Sequence, residues 1–312
     1  MSIASKSSIP VILLFGPTGV GKTELIEELF DSRYEIINTD SQQVYRHLDI
    51  GTAKAPAQLR NKIKHHLIDI VDPSEGYDVG RFVRDADTVL REIDSRGHVT
   101  VLCGGTSFYF LHFLYGLPQV PEVPPDIRGN ITLRLRREGR QALRRELEQV
   151  DPPSAARIHP HDTQRLLRAL EVFHGTGRRI SDFPVPTQTR GEYRFLNIGL
   201  NRDRTELYRR IDSRVESMWE QGLLAEIKNL LAMGYHEEDP GLRGIGYREF
   251  FLMRRAGEFI YPQIREEIKK NSRRYAKRQL SFFRRIPEVR WFHPDQKTEV
   301  KNLIDRFLSS RL

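Results

Sequence analysis

Residues 16 to 23 read GPTGVGKT and follow directly on the apolar run VILLF. No other stretch of the chain limits its fold as much. A short apolar run bounded by glycine reads as a buried strand, and TELIEELFD after the loop has helical spacing, with Leu25, Leu29 and Phe30 on one side. Strand, glycine loop and helix form the setting in which G-x-x-x-x-G-K-[ST] binds phosphate. There Gly16, Gly19 and Gly21, with Pro17, Thr18 and Val20 between them, let backbone amides wrap an anion, and the helix start adds partial positive charge. Lys22 supplies a point charge, and the Thr23 hydroxyl can hold Mg2+.

EIINTD, HHLIDIV and VTVLCGG repeat the theme, each an apolar run closing on polar residues or glycine, with stretches of helical length such as VGRFVRDADTVLREIDSRG between them. The alternation predicts an α/β fold, a P-loop NTPase-like doubly wound parallel sheet with its function at the carboxyl ends of the strands. Four prolines between 118 and 125 then mark a boundary. From Asp126 to about Phe183 the chain is Arg-rich and helical in pattern, an insertion that closes on a second proline-bearing hinge, DFPVPTQTRG. FLNIGL reads as a return to the sheet, and Leu207, Ile211, Val215, Trp219 and Leu223 recur every four residues on one long helix that closes at Gly234. The expected organisation is a P-loop core over 1–120, a helical insertion domain over 121–195, and completion of the core with basic C-terminal helices over 196–312.

Composition narrows the class of function. Of 312 residues 38% are apolar and 29% charged, and no apolar run approaches the roughly 20 residues of a membrane helix, so no membrane association is expected. The opening MSIASKSSIP lacks the apolar segment of a secretory signal, and the lone Cys103 allows no internal disulfide, which suits a reducing cytoplasm. The net charge of +8 points to a polyanionic partner.

Phosphate binding need not mean hydrolysis. A hydrolase usually places an acidic strand end on the metal, whereas VTVLCGG ends in Gly104, Gly105 and Thr106, which suits close approach of backbone to a ligand in a pocket wall. Asp40 ends the second strand instead. Its carboxylate could cap a helix, sit on Mg2+, or accept a proton from an exocyclic amine attacking an electrophile held by the loop. His65 and His66 adjoin a strand, but no third ligand keeps metal spacing with them. Between 265 and 285 stand nine Lys or Arg against two Glu, with basic residues at 269, 273 and 277 and at 270, 274 and 278 forming a helical stripe. Tyr275, Phe282 and Phe283 lie among them, the mixture of cations and rings that suits RNA, although a solvated helix face has the same charge pattern. Arg165, Arg168, Arg178 and Arg179 form a second basic cluster in the insertion.

GPTGVGKT, DSQQVYRHLDIGTAK, HHLIDIVDP, GGTSFYF, QRLLRALEVF, GIGYRE and KRQLSFFR, in this order over nearly the whole chain, resemble the tRNA dimethylallyltransferase family. The resemblance implies transfer of a dimethylallyl group from dimethylallyl diphosphate to N6 of adenosine 37 in tRNAs that read codons beginning with U. It also implies a Mg2+-dependent, monomeric enzyme of bacterial type, since the chain carries no C-terminal zinc-finger extension. Carried over by position, Lys22 and Thr23 would meet the diphosphate and metal, with Arg214 reaching the same group. Asp40 would act as general base and Thr106 would line the channel where donor and base meet. The tRNA contacts implied are Asp40, Ser41, Gln42 and Gln43; Thr106; Arg128; and Gln164, Arg165, Leu166, Leu167 and Arg168. They continue with Arg243, Gly244, Ile245, Gly246, Tyr247 and Arg248, then Lys277, Arg278, Gln279 and Leu280, and Ser281, Phe282, Phe283 and Arg284. Three departures stand out: His47 and Ala55 replace the more usual Gly and Pro, and Cys103 replaces Val. An isopentenyltransferase acting on free adenine nucleotide, a P-loop kinase and a nucleotide-gated RNA-binding switch share parts of this pattern.

Overall fold

The computed structural model describes residues 8–255 and 261–310; residues 1–7 of the N-terminal stretch discussed above lie outside them. The chain forms two compact units, Tyr115–Thr189 and the remainder on either side of it. The larger unit begins with β1 (Ile9–Phe15), α1 (Lys22–Leu29), β2 (Tyr34–Asn38), α2 (Ala57–Lys62), β3 (His65–His66), α3 (Val79–Ser95), β4 (Val99–Gly104) and α4 (Ser107–Tyr115). The smaller unit holds α5 (Pro125–Val150), α6 (Pro152–Arg157) and α7 (Thr163–Thr176). The larger unit resumes with β5 (Tyr193–Leu200), α8 (Arg204–Glu220), α9 (Leu223–Ala232), α10 (Arg248–Arg255), α11 (Tyr261–Phe283), β6 (Arg290–Phe292) and α12 (Lys297–Ser309).

The six strands lie in the order β3-β2-β4-β1-β5-β6, and every neighbouring pair is parallel. Val11 to Phe15 of β1 are fully buried, as a central parallel strand with both faces covered must be. The α/β architecture expected from the alternating pattern is therefore the observed one. The core of the larger unit joins Ile12, Leu14, Val20, Leu25, Ile36, Val101 and Ile198 of the sheet region to Leu207 and Ile211 of α8, Ala276 of α11 and Val300 and Ile304 of α12. The smaller unit has its own core, in which Ile131, Leu143 and Leu147 of α5 meet Leu166, Ala169 and Leu170 of α7.

Two elements differ from expectation. HHLIDIV contributes only His65 and His66 as strand, because Leu67 and Asp69 adopt positive φ of 59° and 58°, and Val71 returns only as an isolated bridge to Tyr45. The single long helix expected from 207 to 234 is two: α8 ends at Glu220, Gly222 turns at φ 100°, and α9 starts at Leu223. A residue without Cβ tolerates that left-handed turn, so Gly222 outweighs the continuing apolar spacing.

Candidate functional site

β1 delivers its carboxyl end to the GPTGVGKT loop in the middle of the sheet. Gly21, at φ 113°, is the residue before α1, and no side chain caps that helix, so its first amides are left for an anion. The Lys22 ammonium folds back on its own loop, donating to the carbonyls of Gly16 (2.9 Å) and Pro17 (3.1 Å). Two guanidiniums brace the loop from outside: Arg202 Nε donates to the Val20 carbonyl (2.8 Å) and Arg210 Nε to that of Gly19 (2.9 Å). Arg210 also pairs with Glu24 and Arg202 with Glu206. Gln279 of α11 closes the inner side, its Oε1 accepting from Thr18 N (3.0 Å) and its Nε2 donating to the Gly105 carbonyl (2.6 Å).

The ends of β2 and β4 meet beside this loop. Asp40 Oδ1 accepts from the amides of Gln42 (2.9 Å) and Gln43 (3.4 Å), capping the turn that follows β2, while its Oδ2 takes no hydrogen bond from the described residues. One Asp40 oxygen thus holds the turn and the other is left open. The Thr106 hydroxyl oxygen accepts from Ser41 N (2.9 Å), and Thr106 N donates to the Thr39 carbonyl (3.0 Å), so this residue ties down the turn that carries Asp40. A Cβ on Gly104 would stand 2.2 Å from the Thr39 carbonyl oxygen, and one on Gly105 would stand 2.5 Å from Gln279 Nε2. Contacts within the protein thus hold the glycine pair closely, and both residues also stand on a cavity wall, as the sequence pattern suggested.

Two cavities open here. The larger, of about 690 Å³, is lined by the phosphate loop from Thr18 to Thr23, by Asp40 and Gln43, by Cys103, Gly104 and Gly105, and by Arg209, Arg210, Ser213 and Arg214 of α8. The smaller, of about 270 Å³, is lined by Ser41, Gln42, Gly51 and Thr52, by Arg243, Gly244, Ile245 and Arg248, and by Tyr275 and Arg278 of α11. Thr18, Asp40, Arg214 and Met218 belong to both walls, so the cavities adjoin at Asp40 and Arg214. Thr106 is on neither wall, a correction to its expected place lining a channel. On the smaller wall, Gln42 Oε1 is buried without a hydrogen-bond partner among the described residues.

Burial lowers the pKa of the Lys22 ammonium, with Arg214 adding to the effect and Cys103 and Asp40 opposing it. Burial likewise lowers Arg214, against the attraction of Asp40 and Glu24. Two cations held partly desolvated side by side favour a polyanion between them. Burial pushes the Cys103 thiol up to about 12 and the Tyr275 phenol up to about 12, the latter with help from the charge on Asp40, so both stay protonated at neutral pH. Among the described residues no group of three or more His, Cys, Asp or Glu is placed to hold a metal. His66 instead donates to Glu35 (2.6 Å). The donor available at the phosphate loop is the exposed Thr23 hydroxyl, and Mg2+ commonly takes one or two protein ligands with the remainder from substrate phosphate and water.

The residues expected to face RNA separate into three groups. Lys277, Arg278 and Arg284 of the α11 region, Arg243, and Gln164, Arg165 and Arg168 of α7 are exposed. Arg128 and Arg168 both pair with the buried Glu171 at 3.4 Å. Three of the nine cations between 265 and 285, however, are committed within the protein: Arg265 and Lys269 pair with Glu216, and Arg273 with Asp212, all against α8. Phe283 is fully buried and stacks on Phe15 (4.7 Å), Tyr247 is fully buried, and Leu166 sits in the core of the smaller unit. These three side chains support the surface rather than reach a partner. Sequence reasoning missed Arg202 and Arg210 as site residues and the bridging role of Gln279, while Tyr275, singled out among the cations of α11, stands on the smaller wall. The polar face of α8, with Glu206, Arg210 and Arg214 at spacings of four, was a legible signal beside the apolar one.

A family model described as IPP transferase matches residues 43–286. A tRNA dimethylallyltransferase of Syntrophobacter fumaroxidans is 45% identical over 292 residues, covering 92% of this chain and 84% of that protein. The chain belongs to the IPP transferase family. Another relative, the tRNA dimethylallyltransferase of Borrelia hermsii, is 41% identical over 95% of this chain and 97% of its own. Among solved structures, the full-length tRNA isopentenylpyrophosphate transferase of Bacillus halodurans superposes with a TM-score of 0.68 at 36% identity, covering 96% of each chain. A eukaryotic dimethylallyltransferase acting on tRNA matches with a TM-score of 0.81 at 27% identity, over 98% of this chain and 81% of that one. The IPP transferase match starts at Gln43, after the phosphate loop and Asp40, and includes the 243–248 segment and α11.

Proposed function

We propose that this IPP transferase moves the dimethylallyl group of dimethylallyl diphosphate onto N6 of adenosine 37 in tRNAs reading codons that begin with U, releasing diphosphate. The observation that carries the reading is the pair of cavities adjoining at Asp40 and Arg214, one built on a phosphate loop and the other reaching the exposed cations of α11. The donor occupies the larger cavity, its diphosphate against the loop amides, Lys22 and Arg214. The adenine enters the smaller one after leaving the anticodon stack, as bases do in enzymes that modify them. The N6 lone pair attacks C1 of the donor, the C1–O bond breaks, and charge gathers on the departing diphosphate, where Lys22 and Arg214 are placed to stabilise it. The N6 proton passes to Asp40 Oδ2, the open oxygen, while Oδ1 keeps the carboxylate fixed to the turn. Mg2+ held by Thr23 would supply Lewis-acid neutralisation of the diphosphate.

Lys277, Arg278, Arg284 and Arg243 meet the tRNA backbone, together with Arg128, Gln164, Arg165 and Arg168 of the insertion 121–195, which grips the anticodon stem. The enzyme works as a cytoplasmic monomer. Incubating the purified protein with labelled dimethylallyl diphosphate, unmodified tRNA and AMP tests the reading. Label is expected in tRNA alone and lost when adenosine 37 is replaced; label in AMP, or in neither acceptor, overturns it.

A further inference from the structure

Glu226 lies in the first turn of α9, on neither cavity wall, yet its carboxylate carries four hydrogen bonds. Oε2 accepts from Asp49 N (2.9 Å) and Ile50 N (2.7 Å), and Oε1 from Gly51 N (3.1 Å) and the Tyr247 hydroxyl (2.6 Å). Three successive amides and a buried phenol on one carboxylate join two loops that are distant in sequence. Both loops build the smaller cavity, the first through Gly51 and Thr52 and the second through Arg243, Gly244, Ile245 and Arg248. The junction is tight: a Cβ on Gly51 would stand 2.5 Å from the Tyr247 ring, and one on Gly246 would stand 3.2 Å from the Gly51 carbonyl oxygen. The first loop continues to the reacting groups, for the Thr52 carbonyl accepts from Arg214 (3.3 Å) and from Gln43 Nε2 (3.1 Å), and the Ala53 carbonyl accepts from Gln43 Nε2 as well (3.2 Å).

We infer that Glu226 is a positioning residue for prenyl transfer, a strut that sets the width of the smaller cavity without touching substrate. The inference rests on the functional reading above, in which that cavity takes the acceptor base. An acceptor of four hydrogen bonds must be a carboxylate here. An amide would turn an N–H toward donors, and the loops would part by the fraction of an ångström that positioned chemistry does not tolerate. The phosphate loop, braced by Arg202, Arg210 and Gln279, does not depend on Glu226.

The test uses the full chain as wild type, Glu226→Gln and Tyr247→Phe. Transfer of labelled dimethylallyl to tRNA gives kcat and KM for each substrate, and calorimetry with dimethylallyl diphosphate alone gives the donor affinity. For Glu226→Gln the expected result is a fall of about 30-fold in kcat with tRNA, within the range that small misplacements produce, with donor affinity within about threefold. Tyr247→Phe, which removes one hydroxyl and leaves the amide contacts, is expected to lose about fivefold in kcat with the same donor affinity; it carries the test alone should the first variant fail to fold. Both variants within twofold of wild type, or a loss that falls equally on donor affinity, would overturn the inference. A wild type that puts no label into tRNA would overturn the functional reading and the inference with it.

Discussion

Asp40 offers a separation of structure from chemistry, because its two oxygens have different work. Oδ1 accepts from the amides of Gln42 and Gln43, and Oδ2 is open. Asp40→Ala removes both roles: losing a side-chain acceptor at such a turn costs about 1 kcal/mol of stability, and losing a general base costs about 10²- to 10⁴-fold in rate, or roughly 3 to 5 kcal/mol of barrier. Asp40→Asn removes one. Its Oδ1 can go on accepting from the two amides, while an NH₂ group replaces Oδ2 and can only donate. The assay is single-turnover transfer with enzyme in excess over tRNA, alongside tRNA affinity by filter binding and stability by urea unfolding. Asp40→Asn should unfold within about 0.5 kcal/mol of wild type, the ordinary spread of neutral substitutions, and bind tRNA within about threefold, yet transfer about 10²- to 10⁴-fold more slowly. Asp40→Ala should share that rate and add the loss in stability. Transfer by Asp40→Asn within tenfold of wild type, or a loss of tRNA affinity that matches the loss of rate, would refute the base assignment.

Gly104→Ala would drive a Cβ to 2.2 Å from the fixed Thr39 carbonyl oxygen, whereas Gly105→Ala would meet the movable end of Gln279 at 2.5 Å. Urea unfolding should therefore show a loss of about 3 kcal/mol or more for the first and about 1 to 2 for the second, and equal losses would contradict the backbone origin of the constraint. Replacing the exposed Lys277 and Arg278 by Ala should weaken tRNA binding and lower the slope of log affinity against log salt by about 1 per residue; an unchanged slope would place both off the RNA. Burial alone would raise the pKa of the Glu35 carboxyl, but hydrogen bonds from Arg96, His66 and His98 outweigh it and hold the group at about 2, against an ordinary 4.5. Its contribution, on the order of 3 kcal/mol, is thus present above pH 4.5 and lost as pH falls through about 2. Glu35→Gln should flatten the acid limb of the stability curve measured by urea unfolding between pH 6 and pH 2.

The phosphate loop and the parallel sheet were legible in sequence because both rest on local pattern. VILLF is fully buried on both faces, and a continuous apolar run is what such a strand requires. What resisted reading depended on contacts between distant residues. Glycines at 104 and 105 announce a close approach but not what approaches, and only the fold shows Thr39 and Gln279 there. The cationic stripe of α11 announces an anion but not which one: Glu216 and Asp212 of α8 take the residues on one side, and the exposed Lys277 and Arg278 remain. Phe283 looked like a stacking platform because its neighbours in sequence are basic, yet its partner is Phe15 at the end of β1. His47 stands at φ 66°, a left-handed turn that glycine would fill without cost.

The position of the open Asp40 carboxylate bears on why this phosphate loop would transfer a carbon group rather than release phosphate. A hydrolase uses an acidic strand end to hold the metal and a further group to orient water. Here β4, which pairs directly with β1, ends in Gly104 and packs against Thr39, leaving no room for a side chain. The carboxylate stands one strand further out, after β2, tied by its own turn and facing the place where the two cavities adjoin. From there it is suited to take a proton from a nucleophile arriving through the smaller cavity. Arg214, on both walls and partly desolvated beside Lys22, faces charge arriving on the leaving side. On the proposed reading, base and counter-charge thus flank the carbon that changes partners.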